Sequence, residues 1–350
     1  MTEKIRVDAK ALELFAFEIF RAAGLPDDWA RTEAEVLVWA DMRGVGSHGV
    51  LRIPSYVAWM SRGLRKADAD IRVIAEKGAM ALLEADRGPG LHVMRKAMDM
   101  AIARAKEHAL GWISVRQVTH TGAMGYYVRQ AAEAGMVGIA SCSSRPLMAY
   151  HGTSEAALGT TPIAIGVPRA NGKPLVLDMA SAAISIGALA QARQAGRELP
   201  PGVALDELGH PTTDPRRAVT PLPIAGPKGG GLGVMIECIA SLLNGLPLVT
   251  SAFDDPAQRT DYVLNAFAVA IDPSWMPAAA TFQRDVDLLA KGLAEQPRAE
   301  GFDEILMPGE RGDREMERTA REGIELTPVL WKQLAEVAGK LGVSMPEIRQ

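Results

Sequence analysis

A hydroxyl, an imidazole, a guanidinium and a phenol lie within ten residues of one another, in Ser47, His48, Arg52 and Tyr56. The imidazole can transfer a proton near neutral pH, and the planar guanidinium can bind a carboxylate through two parallel hydrogen bonds. Because Arg52 and Tyr56 are four residues apart, a helix would place them on the same face. The segment predicts proton transfer on a substrate that carries a carboxylate, with a helix cap and a surface arginine as the structural alternative.

The same segment contains the glycine pattern G-x-G-x-x-G, in Gly44, Gly46 and Gly49. In dinucleotide-binding folds this pattern follows a strand and opens a helix. Here the preceding run, 32–42, has apolar residues at helical spacing and so predicts a helix. We interpret the glycines as a tight turn that leaves this helix, and not as a nucleotide-binding loop.

Two further segments place polar side chains where strands are predicted to end. His120 follows a strand predicted over 112–118 and precedes Gly122, which is typical of an active site or of a histidine that caps the helix predicted over 124–134. Asp178 could accept hydrogen bonds from ribose hydroxyls or from backbone amides, and turn chemistry is its structural alternative.

Lys228 precedes the glycine run 229–231, which opens an apolar helix predicted over 232–243. Backbone amides at a helix start favour an anion, and the lysine adds a positive charge, so a phosphate of a dinucleotide would fit. A glycine hinge is the alternative, and the spacing is not that of a Walker motif, since no Ser or Thr follows the lysine. No two histidines have the spacing of a metal-binding helix, so we expect no metal.

The composition excludes several classes of protein. Of 350 residues, 48% are hydrophobic and 23% charged, as in globular proteins, and the formal charge of −4 argues against nucleic-acid binding. No apolar run is long enough to cross a bilayer, so no membrane association is expected, and the N-terminal residues lack the apolar core of a signal peptide. Two distant cysteines, Cys142 and Cys238, favour a reduced cytoplasmic location, and each is expected to be a small buried apolar residue.

Hydrophobic periodicity predicts helices near both chain ends and a mixture of strands and helices from 71 to 180. The tract 196–228 holds seven of the 22 prolines and is expected to be a loop that crosses the surface. The other predicted elements are helices over 9–23, from 26 onward, and over 89–108, 182–195, 282–294 and 328–341, a strand pair within 71–86, and strands over 137–141, 163–167, 175–177 and 262–271.

Taken together, these motifs resemble the malate/L-lactate dehydrogenase family of the second type, over essentially the whole chain. The sequences around His120 and Lys228 are most similar to ureidoglycolate dehydrogenases, while other members reduce 2-oxo acids, sulfopyruvate, diketogulonate or cyclic ketimines such as piperideine-2-carboxylate. The motifs that carry the resemblance are Asp41-x-Arg43-Gly44-x-x-Ser47-His48-Gly49-x-x-Arg52, His120-x-Gly122, Gly159-Thr160-x-Pro162, Asp178-Met179-Ala180, Pro211-Thr212-Thr213-Asp214-Pro215, Lys228-Gly229 and Pro308-Gly309-Glu310.

The resemblance implies a mixed α/β fold that is not a Rossmann fold, with a largely antiparallel sheet that binds the cofactor. It also implies a helical domain made from both chain ends, for substrate binding and dimerisation, over 1–70 plus 298–350. The NAD(P)-binding domain would span 71–297, with a loop-rich helical insert around 182–227. An obligate homodimer with its active site near the interface is expected as well.

By the same resemblance, His48 and His120 are the candidates for proton transfer, and Ser47, Arg52 and Tyr56 would face the substrate. The choice between NAD and NADP stays open, with NAD favoured. The residues assigned to the nicotinamide dinucleotide are Ser144, Thr160, Asp178, Met179, Ala180, Lys228, Gly229 and Gly309.

The expected reaction is hydride transfer between the nicotinamide and a small 2-hydroxy or 2-oxo carboxylate of the malate, lactate or ureidoglycolate type. Three departures from the family pattern bear on the substrate, namely Thr161 for the usual asparagine, Gly230 for an aromatic residue, and Thr121 for phenylalanine or serine. The alternatives are a reductase of cyclic ketimine carboxylates and a catalytically silent dinucleotide-binding protein.

Overall fold

The computed structural model describes residues 5–255 and 262–349 of the chain. The strands in these residues are β1 (Ile5–Val7), β2 (Arg72–Lys77), β3 (Met80–Glu84), β4 (Leu110–Val118), β5 (Val137–Ser143), β6 (Met148–Ala149), β7 (Ala156–Leu158), β8 (Ile163–Val167), β9 (Leu175–Met179), β10 (Ala204–Leu205), β11 (Thr220–Pro221), β12 (Leu264–Ile271) and β13 (Ile324–Leu326). The α-helices are α1 (Ala9–Ala22), α2 (Asp27–Met42), α3 (Ile53–Ser61), α4 (Gly90–His108), α5 (Gly125–Glu133), α6 (Ile186–Ala195), α7 (Pro227–Glu237), α8 (Leu248–Asp254), α9 (Ala279–Ala294), α10 (Glu310–Glu322) and α11 (Pro328–Leu341).

A seven-stranded sheet with the order β2-β3-β4-β12-β5-β8-β9 forms the centre of the molecule. Strands β3 and β4 run parallel, and every other neighbouring pair in this sheet is antiparallel. The mixed α/β class and the largely antiparallel sheet are therefore as expected from the sequence. That this sheet binds the cofactor remains a prediction.

The side chains of the central strand β12 alternate in direction, so they contribute to the packing on both faces of the sheet. Ala266 and Ala268 face the core formed with α4 and α5, whereas Phe267 and Val269 pack with Ile236 of α7 on the other side. Both layers exclude water, and burying a large apolar side chain stabilises a fold by about 1.5–3 kcal/mol.

The two chain ends share a second hydrophobic core. Strand β1 pairs antiparallel with β13, and Phe20 of α1, Leu37 of α2, Tyr56 of α3 and Leu334 of α11 belong to one buried cluster. This packing agrees with the idea that both ends build one helical unit. The domain boundaries remain predictions, and residues 1–4 and 350 of the predicted helical domain lie outside the described residues.

Several element boundaries differ from the prediction. Helix α7 begins at Pro227, so the glycine run 229–231 lies inside the helix and not in a loop before it. Proline at the first helical position is favourable because its missing N–H has no helical partner there. Helix α6 begins at Ile186 and not at Ala182. Helix α10 was not predicted, because its sequence is mostly charged and lacks an apolar stripe.

Candidate active site

Two short 3-10 turns, Gly46–His48 and Val50–Arg52, follow α2 and carry the first group of candidate residues. Gly44 has a φ of +74°, a left-handed conformation that lets the chain leave the helix. The glycine pattern therefore follows a helix and not a strand, as its interpretation as a turn required.

Asp41, in the last turn of α2, fixes the shape of this segment. Its carboxylate accepts a hydrogen bond of 2.7 Å from the backbone N–H of Val50. A Cβ at Gly49 would lie 1.9 Å from Asp41 Oδ1, so only glycine fits there. Burial raises the pKa of Asp41 to about 7.

Arg52 has its guanidinium oriented by the backbone of the same segment. Its Nε donates to the carbonyl oxygen of Ser47 at 2.7 Å, and the Ser47 hydroxyl lies 2.9 Å from Nδ1 of His48. Within the described residues no hydrogen bond from either terminal nitrogen of Arg52 is found. Those two nitrogens are therefore available for a carboxylate.

His120 is held by the first turn of α4. A Cβ at Gly90 would lie 2.2 Å from the carbonyl oxygen of His120, so the helix start and this loop are in direct backbone contact. The hydroxyl of Thr119 accepts from the N–H of Gly90 at 3.1 Å and donates to the carbonyl oxygen of Gly88 at 2.7 Å. The loop after β4 thus has a fixed backbone.

The two histidines, distant in sequence, meet in space. The ring centroids of His48 and His120 are 5.4 Å apart and the rings are inclined by 28°. Burial, followed by the positive charge of Arg52, lowers the pKa of His48 to about 4. Burial, Arg52 and His48 hold the pKa of His120 well below its usual value. Both imidazoles are therefore neutral at pH 7 and can accept a proton.

Tyr56 differs from the expectation that it faces the substrate. Its side chain is completely buried, and its hydroxyl lies 2.6 Å from Nδ1 of His120. The backbone N–H of Gly122 donates to the same nitrogen at 3.3 Å. Tyr56 therefore contacts a candidate catalytic residue, His120, and has no exposed surface.

Several of the candidate cofactor residues meet where β5, β8 and β9 are joined. Ser144 directly follows β5, and a Cβ at Gly159 would lie 2.8 Å from its hydroxyl oxygen. Ser181 donates through both its N–H and its hydroxyl to the carbonyl oxygen of Thr160, at 3.0 Å each. Ala180 precedes Ser181 directly, so this part of the predicted set forms one connected surface.

Asp178 belongs to the edge strand β9, and Gly309, which directly precedes α10, packs against the same strand at Val176. Asp178 accepts from the N–H of Gly125 at 2.7 Å, which is the backbone-amide alternative left open by the sequence. Gly309 has a φ of +92°, and a Cβ there would lie 3.2 Å from the backbone of Val176. Its carbonyl oxygen accepts from Nη2 of Arg43 at 2.9 Å.

Lys228 and Gly229 lie in the first turn of α7. Lys228 is exposed, whereas Gly229 is buried. A Cβ at Gly229 would lie 2.3 Å from the carbonyl oxygen of Ile224, so the backbone is closely packed there. The N–H groups of Lys228, Gly229 and Gly230 already donate to backbone carbonyl oxygens. The positive end of the helix dipole and the exposed lysine are therefore what favour an anion at this surface.

Each of the three departures from the family pattern has a local partner. The Thr161 hydroxyl lies 2.6 Å from that of Ser181, and the Thr121 hydroxyl donates to the Sγ atom of Cys142 at 3.5 Å. Both threonines are buried. Gly230 is inside α7, where a Cβ would lie 3.3 Å from the ring of Tyr150. This glycine therefore belongs to a helix and not to a loop.

Two features of the site could not be predicted from the sequence. A Cβ at Gly187, in the first turn of α6, would lie 2.5 Å from the Cβ of Ser47, so this helix packs directly on the segment that carries the candidate residues Ser47 and His48. Glu33 and Arg65 form a completely buried ion pair. Neither feature has a local motif, because both depend on contacts between distant segments.

Other kinds of site find little support in residues 5–255 and 262–349. No group of three or more His, Cys, Asp or Glu side chains there could hold a metal ion. None of the helices in the same residues combines the length and the apolar character that a membrane span requires. Both cysteines are free thiols, Cys142 buried and Cys238 only partly so, which corrects the expectation that both are buried.

Comparison with known proteins gives matches over nearly the whole chain. A family profile described as malate/L-lactate dehydrogenase matches residues 7–335. L-sulfolactate dehydrogenase of Methanocaldococcus jannaschii is 35% identical over 94% of this chain and 95% of its own length. Ureidoglycolate dehydrogenase (NAD(+)) of Escherichia coli is 33% identical over 89% and 90%.

A solved structure of sulfolactate dehydrogenase from Methanocaldococcus jannaschii superposes with a TM-score of 0.88 at 32% identity, covering 97% of this chain and 98% of that one. These matches confirm the resemblance that the motifs suggested. The chain belongs to the malate/L-lactate dehydrogenase family.

Proposed function

We propose that this protein is an NAD(P)-dependent oxidoreductase that interconverts a small 2-hydroxy carboxylate and its 2-oxo acid. The observation that carries the proposal is the meeting of two neutral imidazoles, His48 and His120, beside the guanidinium of Arg52. Family membership supports the same reaction class.

Arg52 is the proposed carboxylate-binding residue. Its Nε is fixed on Ser47, so the guanidinium is already oriented before a substrate arrives. A bidentate pair with the carboxylate would hold the neighbouring C2 atom in one position, and such positioning lowers reaction barriers by several kcal/mol. The Ser47 hydroxyl is within reach of the same ligand.

A histidine would handle the proton at the substrate oxygen. In the oxidative direction a neutral imidazole accepts the hydroxyl proton while the C–H bond at C2 breaks. In the reductive direction the imidazolium returns that proton to the new alkoxide. The low pKa of both rings supports the first role at neutral pH.

The proposed cofactor residues fit a nicotinamide dinucleotide. Ser144, Thr160, Met179 and Ala180 are partly accessible, as is Gly309, and the exposed residues of the set are Asp178 and Lys228. They offer hydroxyls, a carboxylate, backbone amides and one cation, which are the groups that bind ribose and phosphate oxygens. When bound, the nicotinamide supplies or accepts the hydride. We favour NAD, in line with the NAD(+) in the name of one relative.

We also propose a cytoplasmic homodimer. An apolar stripe continues from α7 into the following turn, in Met235, Ile239, Leu242 and Leu243, and Phe253 of α8 is exposed as well. Large exposed apolar surfaces of this kind are usually interaction sites, and closed twofold dimers are the commonest assembly of identical chains.

The reaction is tested by steady-state oxidation of NADH and NADPH against a panel of 2-oxo acids and cyclic ketimine carboxylates. We expect turnover of at least one 2-oxo acid, with NADH preferred. Turnover of ketimines alone would move the assignment to the alternative reductase. Binding of NADH in a thermal-shift assay, without hydride transfer to any substrate, would indicate a silent homologue.

His48→Asn and His120→Asn test the proton transfer. Loss of the general acid or base should lower kcat by about 10²-fold or more in at least one of them. His108→Asn is the matched control, since this histidine is exposed at the end of α4. Full activity in both single variants would contradict the mechanism.

Gly187→Ala tests the contact between α6 and the catalytic segment. The added methyl group would lie 2.5 Å from the Cβ of Ser47, so the segment that carries His48 must shift. Since small displacements of reacting groups are costly, kcat/KM for the carboxylate should fall by about tenfold or more, with NADH affinity retained. Gly292→Ala in α9, where a Cβ meets nothing within 4 Å, is the control. A normal kcat/KM in G187A would mean that α6 does not support the site.

Leu242→Glu/Leu243→Glu tests the dimer. Two buried carboxylates should prevent association, so light scattering should give twice the chain mass of 37.4 kDa for the parent and a single mass for the variant. Leu208→Glu, at an exposed position outside this stripe and outside the chain-end helical unit, should remain dimeric. A monomeric parent protein would refute the assembly.

A further inference from the structure

A completely buried ion pair lies close to the candidate proton-transfer groups, and the proposed reaction does not use it. Arg65 donates through Nη2 to Oε2 of Glu33, and neither side chain has any exposed surface. We propose that this ion pair positions His120 for proton transfer, acting through the ring of Tyr56. The inference rests on the proposed function and adds Arg65 and Glu33 as positioning residues.

A continuous line of contacts leads from the ion pair to the imidazole. The guanidinium carbon of Arg65 lies 4.2 Å from the centroid of the Tyr56 ring. A cation over an aromatic face is held most strongly where water is absent, and Tyr56 is completely buried. The hydroxyl of the same ring lies 2.6 Å from Nδ1 of His120. The position of the guanidinium therefore determines where the phenol meets the imidazole.

Glu33 ties this arrangement to the helix that supports His120. Its Oε1 accepts from the N–H groups of Leu91 and His92, at 3.1 and 3.2 Å, in the first turn of α4. The same turn contains Gly90, which is in backbone contact with His120. The Glu33 carboxylate thus holds both Arg65, which packs on the Tyr56 ring, and the first turn of α4, which contacts His120.

A purely structural role explains the arginine poorly. Two of its nitrogens, Nε and Nη1, are buried and have no hydrogen-bond partner within the described residues. Burying a charged pair is costly, and apolar residues of similar volume usually stabilise a core at least as well. Arg65 is buried despite this cost in free energy, and it packs on the ring that contacts His120. This combination points to a role in the site.

The phenol can serve His120 in both protonation states. It can donate to Nδ1 in the tautomer that has Nε2–H, and it can accept from Nδ1–H in the tautomer whose Nε2 is free to take the substrate proton, and then in the imidazolium. The charged or titratable groups that face His120 are Arg52 and His48 from the 3-10 turns, Tyr56 from α3, and Arg65. Removing the positive charge of Arg65 should therefore raise the pKa of the imidazole.

The double variant Glu33→Gln/Arg65→Met tests the proposal. Glutamine keeps an acceptor for the amides of α4 and methionine keeps apolar bulk, so the thermal midpoint should stay close to that of the parent. We expect kcat to fall by about tenfold with KM for NADH unchanged. In the oxidative direction the acid limb of the kcat profile should move to higher pH, because His120 holds its proton longer. Arg65→Lys, which keeps the charge, should keep the parent pH profile.

A matched control and a second background separate positioning from general damage. Asp287→Asn/Arg169→Met removes another ion pair whose carboxylate also accepts from a backbone N–H, and it should change neither kcat nor the pH profile. In a Tyr56→Phe background the Glu33/Arg65 changes should alter kcat by less than about twofold, since the connecting hydroxyl is absent. If the Glu33/Arg65 changes lowered kcat as much in the Tyr56→Phe background as in the parent, the proposal would be overturned. A parent-like pH profile of kcat in E33Q/R65M would overturn it as well.

A readout without turnover keeps this inference distinct from the proposed reaction. In ¹⁵N-histidine NMR, the His120 signals are assigned by their loss in His120→Gln, and their titration should move to higher pH in E33Q/R65M. If the parent turned over no substrate, the proposed function would fail while this titration still decided the role of Arg65. An unchanged titration would refute it. If the double variant did not fold, Arg65→Lys and Tyr56→Phe would decide by the same measurement, since only Y56F should shift the His120 titration.

Discussion

The hydrogen bond between the Tyr56 hydroxyl and His120 joins the two hydrophobic cores of the molecule at the site itself. Tyr56 belongs to the core built from the chain ends, whereas His120 follows β4 of the central sheet. Both partners are removed from most of the solvent, and a buried polar group that loses its partner costs about 1–3 kcal/mol. The position of this candidate proton-transfer group therefore depends on the packing between the two cores.

Burial also determines the chemistry that this site can perform. A protonated imidazole beside Arg52 would add a second positive charge in a region poor in water, and both effects favour the neutral ring. The guanidinium stays charged and can bind a carboxylate. In the proposed mechanism, one small volume would thus hold a permanent cation for the substrate anion and a neutral base for the proton.

The sequence predicted the parts of this arrangement that have a local pattern. Ser47, His48 and Arg52 stand out because reactive side chains occur close together beside glycines, and α11 and β8 have the periodicity of their element. The predicted start of α7 was wrong, because the glycines suggested a loop where the structure has a helix that begins at Pro227. The contact between Gly187 and Ser47, and the pair of Glu33 with Arg65, could not be predicted, since each joins segments whose approach depends on the whole fold. Tyr56 was predicted to face the substrate, whereas its contact with His120 was visible only in three dimensions.

The end of α2 connects the substrate and cofactor halves of the proposed site. Asp41 holds the turn that carries Ser47 and His48, through the N–H of Val50. Two residues later, Arg43 donates to the carbonyl oxygen of Gly309 and forms a buried ion pair with Asp313 of α10. Because both side chains extend from one helix end, a displacement of α2 would move the catalytic turn and the candidate cofactor loop together. In the proposed reaction, such a shared support would keep the distance between the hydride donor and its acceptor constant, as hydride transfer requires.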